Sequence, residues 1–154
     1  MSGSQTTAAF NFTDAAVQYA LNGGAWTDIC GEATSVTGDG FDRQASADFF
    51  TYCGDTPIVL PGKRNSGSVT VRIAATEGAA DPFIVFLNAQ INKGTKLQFR
   101  WMPRGNTPTN FRYSTDANSF VISNPFPFGE AGSADITALD VTVKAAYVTK
   151  DVVP

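Results

Sequence analysis

Apolar residues fall at every second position through most of this chain, and one stretch breaks the rule. Val69, Val71 and Ile73 alternate with polar neighbours, as do Leu97, Phe99 and Trp101, and then Leu139, Val141, Val143, Ala145 and Tyr147. That is the period of strands with one buried face. Between the first two runs, Asp81-Pro82 sets an N-cap residue before a proline suited to a first helical turn. Phe83, Phe86, Leu87 and Ile91 then recur at helical spacing, Lys93 falls in the last turn and Gly94 supplies a left-handed stop. One helix is predicted, over about residues 82–93. With 154 residues, no internal repeat and no linker, residues 1–154 read as a single domain. The expected class is mainly β: an antiparallel β-sandwich or partly closed barrel flanked by that one α-helix, with long inter-strand loops.

Finer signals divide the rest. Asn22-Gly23-Gly24 predicts a hairpin turn with Ala25–Cys30 as its return strand. Residues 31–48 are rich in Gly and Asp, and a β stretch follows with Phe49, Phe50, Tyr52, Ile58, Val59 and Leu60. Pro61–Gly67 reads as a loop. Phe111–Thr115 and Ser119–Ser123 read as a hairpin across Asp116-Ala117-Asn118, and 124–134 as a Pro-, Phe- and Gly-rich loop. The last strand reads as unbroken from Leu139 to Tyr147.

Much familiar chemistry is absent. The chain has no histidine, which removes the commonest general base and metal ligand. Cys30 and Cys53 therefore lack an imidazole partner, fall short of a zinc site, and sit at strand ends where buried free thiols are common. Thr37–Asp42 has Asp-Gly turn chemistry without EF-hand spacing, and Gly38-Asp39-Gly40 lacks the third glycine of a dinucleotide loop. No cofactor or metal is expected, and no catalysis. Only Lys63-Arg64 are adjacent bases, and the net charge is −3, against the footprint of a nucleic-acid binder. Met1–Gln5 lack the regions of a signal peptide and no apolar stretch spans a bilayer, so synthesis and assembly in the cytoplasm are expected, with no membrane partner.

Charge is unevenly placed. Before Pro61 one base, Arg43, stands against seven acids, a net of −6; from Pro61 onward ten bases face seven acids, a net of +3. Prolines bar Asn124-Pro125-Phe126-Pro127-Phe128-Gly129 from a central strand. Its phenylalanines, like Phe41, Phe49 and Phe50, either tuck onto their own core or serve as exposed anchors.

In order and local pattern, several segments together resemble the tail tube (major tail) proteins of long-tailed, non-contractile phages. They are Val17–Ile29, Asp55–Val59 with Gly62-Lys63-Arg64, Val69–Ile73 leading to Thr76–Phe83, Leu97–Gly105 and the closing strand to Lys150. The resemblance implies a structural virion protein that forms six-membered rings stacked into a hollow tube for DNA passage during genome ejection. It implies partners in further copies of itself and in other tail proteins (tape measure, terminator, baseplate or tip), and a place in the virion tail. DNA would pass only transiently and without specificity. Stacking would use a flexible arm at 1–14 and a long inter-ring loop at 38–66. On this sequence the candidate inter-subunit contacts are Phe41, Arg43, Phe49, Phe50, Lys63, Arg64, Phe126 and Phe128. Alternatives are a tail terminator or contractile-type inner tube, a carbohydrate- or surface-binding module displaying Trp26 or Trp101, and a glycan-cleaving enzyme with paired carboxylates.

Overall fold

A computed structural model of the chain describes residues 14–45, 48–75, 81–123, 126 and 137–154. In chain order the elements are β1 (Ala16–Leu21), β2 (Thr27–Asp28), β3 (Ala33–Asp39), β4 (Arg43–Ala45), β5 (Pro61–Arg64), β6 (Gly67–Ala74), α1 (Pro82–Ile91), β7 (Leu97–Met102), β8 (Phe111–Thr115), β9 (Phe120–Val121), β10 (Ala138–Ala145) and β11 (Val148–Val152). They form a five-stranded sheet, β11-β8-β7-β1-β2, a four-stranded sheet, β3-β6-β10-β9, and a two-stranded ribbon, β4-β5. Every pairing among the described residues is antiparallel. The class read from the sequence is the one observed.

The alternating runs pack as their period requires. Val17, Tyr19, Leu97 and Phe99 of the five-stranded sheet share a core with Val69, Val71, Ile73, Leu139, Val141 and Val143 of the other. Phe86 from α1 is fully buried among them. Its ring stands edge-on to Tyr19 at 5.0 Å and to Phe99 at 5.5 Å, the favoured geometry for aromatic quadrupoles. The outside of the four-stranded sheet is polar: Thr70 and Thr142 hydroxyls meet at 2.8 Å, and Arg72 faces Asp140 at 3.8 Å.

Several boundaries differ from the sequence reading. The helix stops at Ile91, and its C-cap is Asn92 with negative φ. Lys93 lies beyond it, and Gly94 is not among the glycines with positive φ. Asp81 holds the N-cap position through its backbone carbonyl, which accepts the Val85 N–H at 3.3 Å, and its side chain makes no capping bond. The Asn22-Gly23 turn forms with both residues left-handed (φ 50° and 73°), but its return strand pairs only at Thr27-Asp28. Residues 49–60 carry a single bridge, Phe49 to Ile58, in place of a strand, whereas Pro61–Arg64 is a strand and not a loop.

β8 and β9 do not form a hairpin; they lie in different sheets. The apparent strand 139–147 likewise breaks after Ala145, and β11 joins the other sheet. One buried carboxylate ties both crossings together. Asp116 Oδ1 accepts the Ala146 N–H at 2.8 Å and Oδ2 accepts the Asn118 N–H at 3.1 Å. Ser119 Oγ donates to the Leu97 carbonyl at 2.7 Å beside them. The proposed arm lies outside the described residues, apart from Asp14.

Candidate interface

The ribbon β4-β5 and the excursion it carries form the least self-contained part of the described chain. Gly40 and Phe41 turn the chain out of β3 with φ of 83° and 65°, a backbone state that costs a bulky residue about 1–2 kcal/mol. Phe41 offsets this by laying its half-buried ring against the core, in the space that Gly67 leaves open. Across the ribbon Arg43 stands opposite Arg64, and Arg43 Nη1 donates to the Gly62 carbonyl at 3.2 Å. Gly62 passes so close to the Gln44 backbone that no side chain would fit there.

Beyond the ribbon the apolar side chains face outward. Phe50 and Val59 are about two-thirds exposed (66% and 65%), Tyr52 is fully exposed, and Phe49, Ile58 and Leu60 also lie open. A soluble monomer rarely presents a contiguous apolar patch of more than a few hundred Å².

The sequence candidates therefore divide. Phe49 and Phe50 face outward, Lys63 and Arg64 are exposed on β5, and Phe126 is exposed. Phe41 is turned inward, and Arg43 pins the ribbon. Phe128 lies outside the described residues. Tyr52, Ile58, Val59 and Leu60, expected in a β stretch, lie outside the strands; Pro57 and Pro61 bracketing an apolar triplet argue against a central strand. At the root, Arg64 lines a cavity of about 120 Å³ with Phe41, Asn65, Ala146, Tyr147 and Val148.

A second feature is the outer face of the five-stranded sheet, where strand register aligns Asp28, Gln18, Arg100 and Ser114. Arg100 Nε donates to Gln18 Oε1 at 2.6 Å, and its guanidinium lies over the Trp26 ring at 4.3 Å. On the same face Arg112 grips Asp151 through two hydrogen bonds, one of 2.9 Å. That grip holds the Asp151 carboxyl below its ordinary range. Burial pushes Asp28 up, but hydrogen bonds from Cys30 and Gln18 outweigh it and leave that carboxyl low too. Two cations and two anions therefore offset one another on this face.

Neither tryptophan is the open platform a sugar-binding module needs: Trp26 lies half-buried under Arg100, and Trp101 stacks on Tyr113 at 5.9 Å. Both cysteines are free, and both are exposed rather than buried. Cys30 uses its sulfur to accept the Val17 N–H at 3.3 Å on the edge of β1. Among the described residues no cluster of three metal-ligating side chains occurs, and no helix is long and apolar enough to cross a membrane.

No family model and no curated protein sequence matches the chain. Solved structures do share its fold. A chain of the PVC sheath-tube complex of an extracellular contractile injection system, in the extended state, is similar at 19% identity and a TM-score of 0.66, over 97% of this chain and 100% of that one. A chain of the PVC sheath/tube terminator is similar at 19% identity and 0.68, over 96% and 99%. The anti-feeding prophage tube-terminating cap gives 18% and 0.66, over 98% and 96%. The fold of this chain is thus one that also occurs in phage-tail-like injection assemblies.

Proposed function

We propose that this protein is a structural, non-enzymatic subunit that assembles with copies of itself as stacked rings into a hollow tail tube. The observation that carries the reading is the apolar excursion 48–60, exposed on a ribbon whose root is locked into the core. Water is a poor solvent for such a tip, and repeated copies offer it a regular site. The fold supports the reading, since chains of tube-bearing assemblies share it over nearly their whole length. Sheet edges support it as well. Among the described residues β2 is only two residues long, and β11 and β3 each have one unpaired side. Such margins pair readily with another chain.

In a ring of about six copies, the charge-balanced outer face of the five-stranded sheet suits a channel wall. Arg100 is occupied by Gln18 and Trp26, and Arg112 by Asp151, so neither guanidinium is left to grip a passing DNA phosphate. Such a tube belongs in a virion tail, with terminator, tape-measure and baseplate proteins as neighbours.

The test is negative-stain microscopy and sedimentation of the purified protein at rising concentration. Hollow cylinders of constant width support the tube; monomers at every concentration refute it. A second reading, a ring that ends a tube, is favoured by equal likeness to terminator and cap chains. It predicts single rings or short stacks that never elongate. The similar chains come from contractile systems, so a contractile-type inner tube stands beside a non-contractile one, and binding to a sheath protein separates them.

A further inference from the structure

We propose that the acidic, apolar tip at residues 48–60 docks on a basic aromatic step at the open end of the five-stranded sheet of a second copy of this chain. The inference rests on the tube reading for its occupant and adds the receiving surface.

Register builds the step. On the core-facing side Trp101 stands opposite Tyr113, which stands opposite Lys150; one row further out Phe111 stands opposite Val152. Burial falls along these rows. Phe99 is fully buried, Trp101 and Tyr113 are half-buried, and Phe111 and Val152 are each 50% exposed. The Trp101 and Tyr113 rings stack, and Lys150 Nζ lies 3.9 Å from the centre of the Phe111 ring. The five-stranded sheet thus runs past its cover and ends in a half-open aromatic ledge with a cation on it. Asp151, next to Lys150, points to the opposite face, where Arg112 holds it, so the ledge keeps its positive sign.

The tip has the complementary character. Asp48 and Asp55 are exposed beside Phe50, Tyr52 and Val59, and residues 48–60 contain no Lys or Arg. Among the described residues both surfaces stay exposed within one copy. Tip and ledge are different surfaces, which makes their contact head-to-tail, the geometry of an open filament. Aromatic pockets with a rim charge are the usual anchors of such interfaces.

Native Cys53 lies in the tip, so Val152→Cys places a second thiol on the ledge. Mild oxidation of the assembled variant, followed by peptide mass spectrometry, should reveal a link from residue 53 of one copy to residue 152 of another. Lys150→Glu should lower the pelletable fraction about fivefold, and adding Asp55→Lys should restore it. Either the link or the reciprocal rescue supports the contact; absence of both overturns it. Tubes that form without either discard this contact and keep the tube. A link or rescue in soluble oligomers, with no cylinders, keeps the contact and discards the tube.

Discussion

Gly67→Ala is the substitution whose effect the structure specifies most closely. A Cβ at residue 67 would lie 2.5 Å from the Asp39 carbonyl oxygen, and 2.5 and 2.6 Å from two carbons of the Phe41 ring. Comfortable contacts lie near 3.5–4.0 Å, so each approach is about 1 Å too close. The Asp39 carbonyl cannot retreat easily, because its strand is held opposite Ser68 by the β3-β6 ladder. Phe41 can move, but its left-handed backbone persists only while the ring is packed. Overpacking of this kind costs about 2–3 kcal/mol. Phe41→Ala alone should cost about 1 kcal/mol, since half of a phenylalanine's burial is lost. In the double variant one of the two clashes is gone, so its loss should fall short of the sum by about 1 kcal/mol. Urea denaturation with an unchanged slope is the measurement. The same variants should assemble poorly, because the excursion's root is what they loosen. Gly67→Ala within about 0.5 kcal/mol of the parent, or strict additivity with Phe41→Ala, would refute the interlock.

Phe86→Ala removes a fully buried ring and two edge-on aromatic contacts, and should cost about 3–5 kcal/mol in chemical denaturation. Asp116→Ala strands the Ala146 and Asn118 N–H groups at the two sheet crossings; a loss of about 2 kcal/mol is expected, and a loss under about 0.5 kcal/mol would show the corners hold without it. Arg112 lowers the Asp151 carboxyl, so the pair's contribution is present above the unfolded value near pH 3.9 and disappears as pH falls through the lower folded value. Asp151 is half-exposed, so Asp151→Asn should cost no more than about 1 kcal/mol at neutral pH, and that cost should shrink as the solution is acidified; a gap in urea midpoint that widens with acid contradicts the sign. Burial and then the Asp28 neighbour push the Cys30 thiol up, so iodoacetamide at neutral pH should modify Cys53 first, as read by peptide mass.

The alternation of Val69-Val71-Ile73, Leu97-Phe99 and Leu139-Val141-Val143 was enough to find both inner sheet faces, because period two is a local property of a half-buried strand. Phe86 was likewise legible, since its spacing from Phe83 and Leu87 is helical. The corners were not. Nothing in Phe111–Ser123 says that β9 abandons β8, because a turn with Asp and Asn suits a tight hairpin and a crossover alike. The decision is made by Asp116 reaching Ala146 thirty residues away, an interaction with no local trace. The break after Ala145 is hidden for the same reason: period two runs through Tyr147 while the backbone changes sheet.

The interface is harder to read than the core for a related reason. Phe41 and Phe50 look alike in the sequence, each an aromatic in a Gly- or Asp-rich setting. What separates them is Gly67, which leaves a slot for the first, whereas the second is two-thirds exposed (66%). A phenylalanine that finds a slot in its own chain holds the fold, and one that finds none must be covered elsewhere or remain a cost. Ile58 pairs back to Phe49 by a single bridge, and Val59 and Leu60 lie outside any strand with their side chains exposed. An exposed apolar segment carrying two acids and no base calls for a partner of complementary character. The partner must offer a half-open apolar surface with a cation, repeated wherever the segment repeats, and the ledge of Trp101, Tyr113, Phe111 and Lys150 on a second copy meets each of those terms.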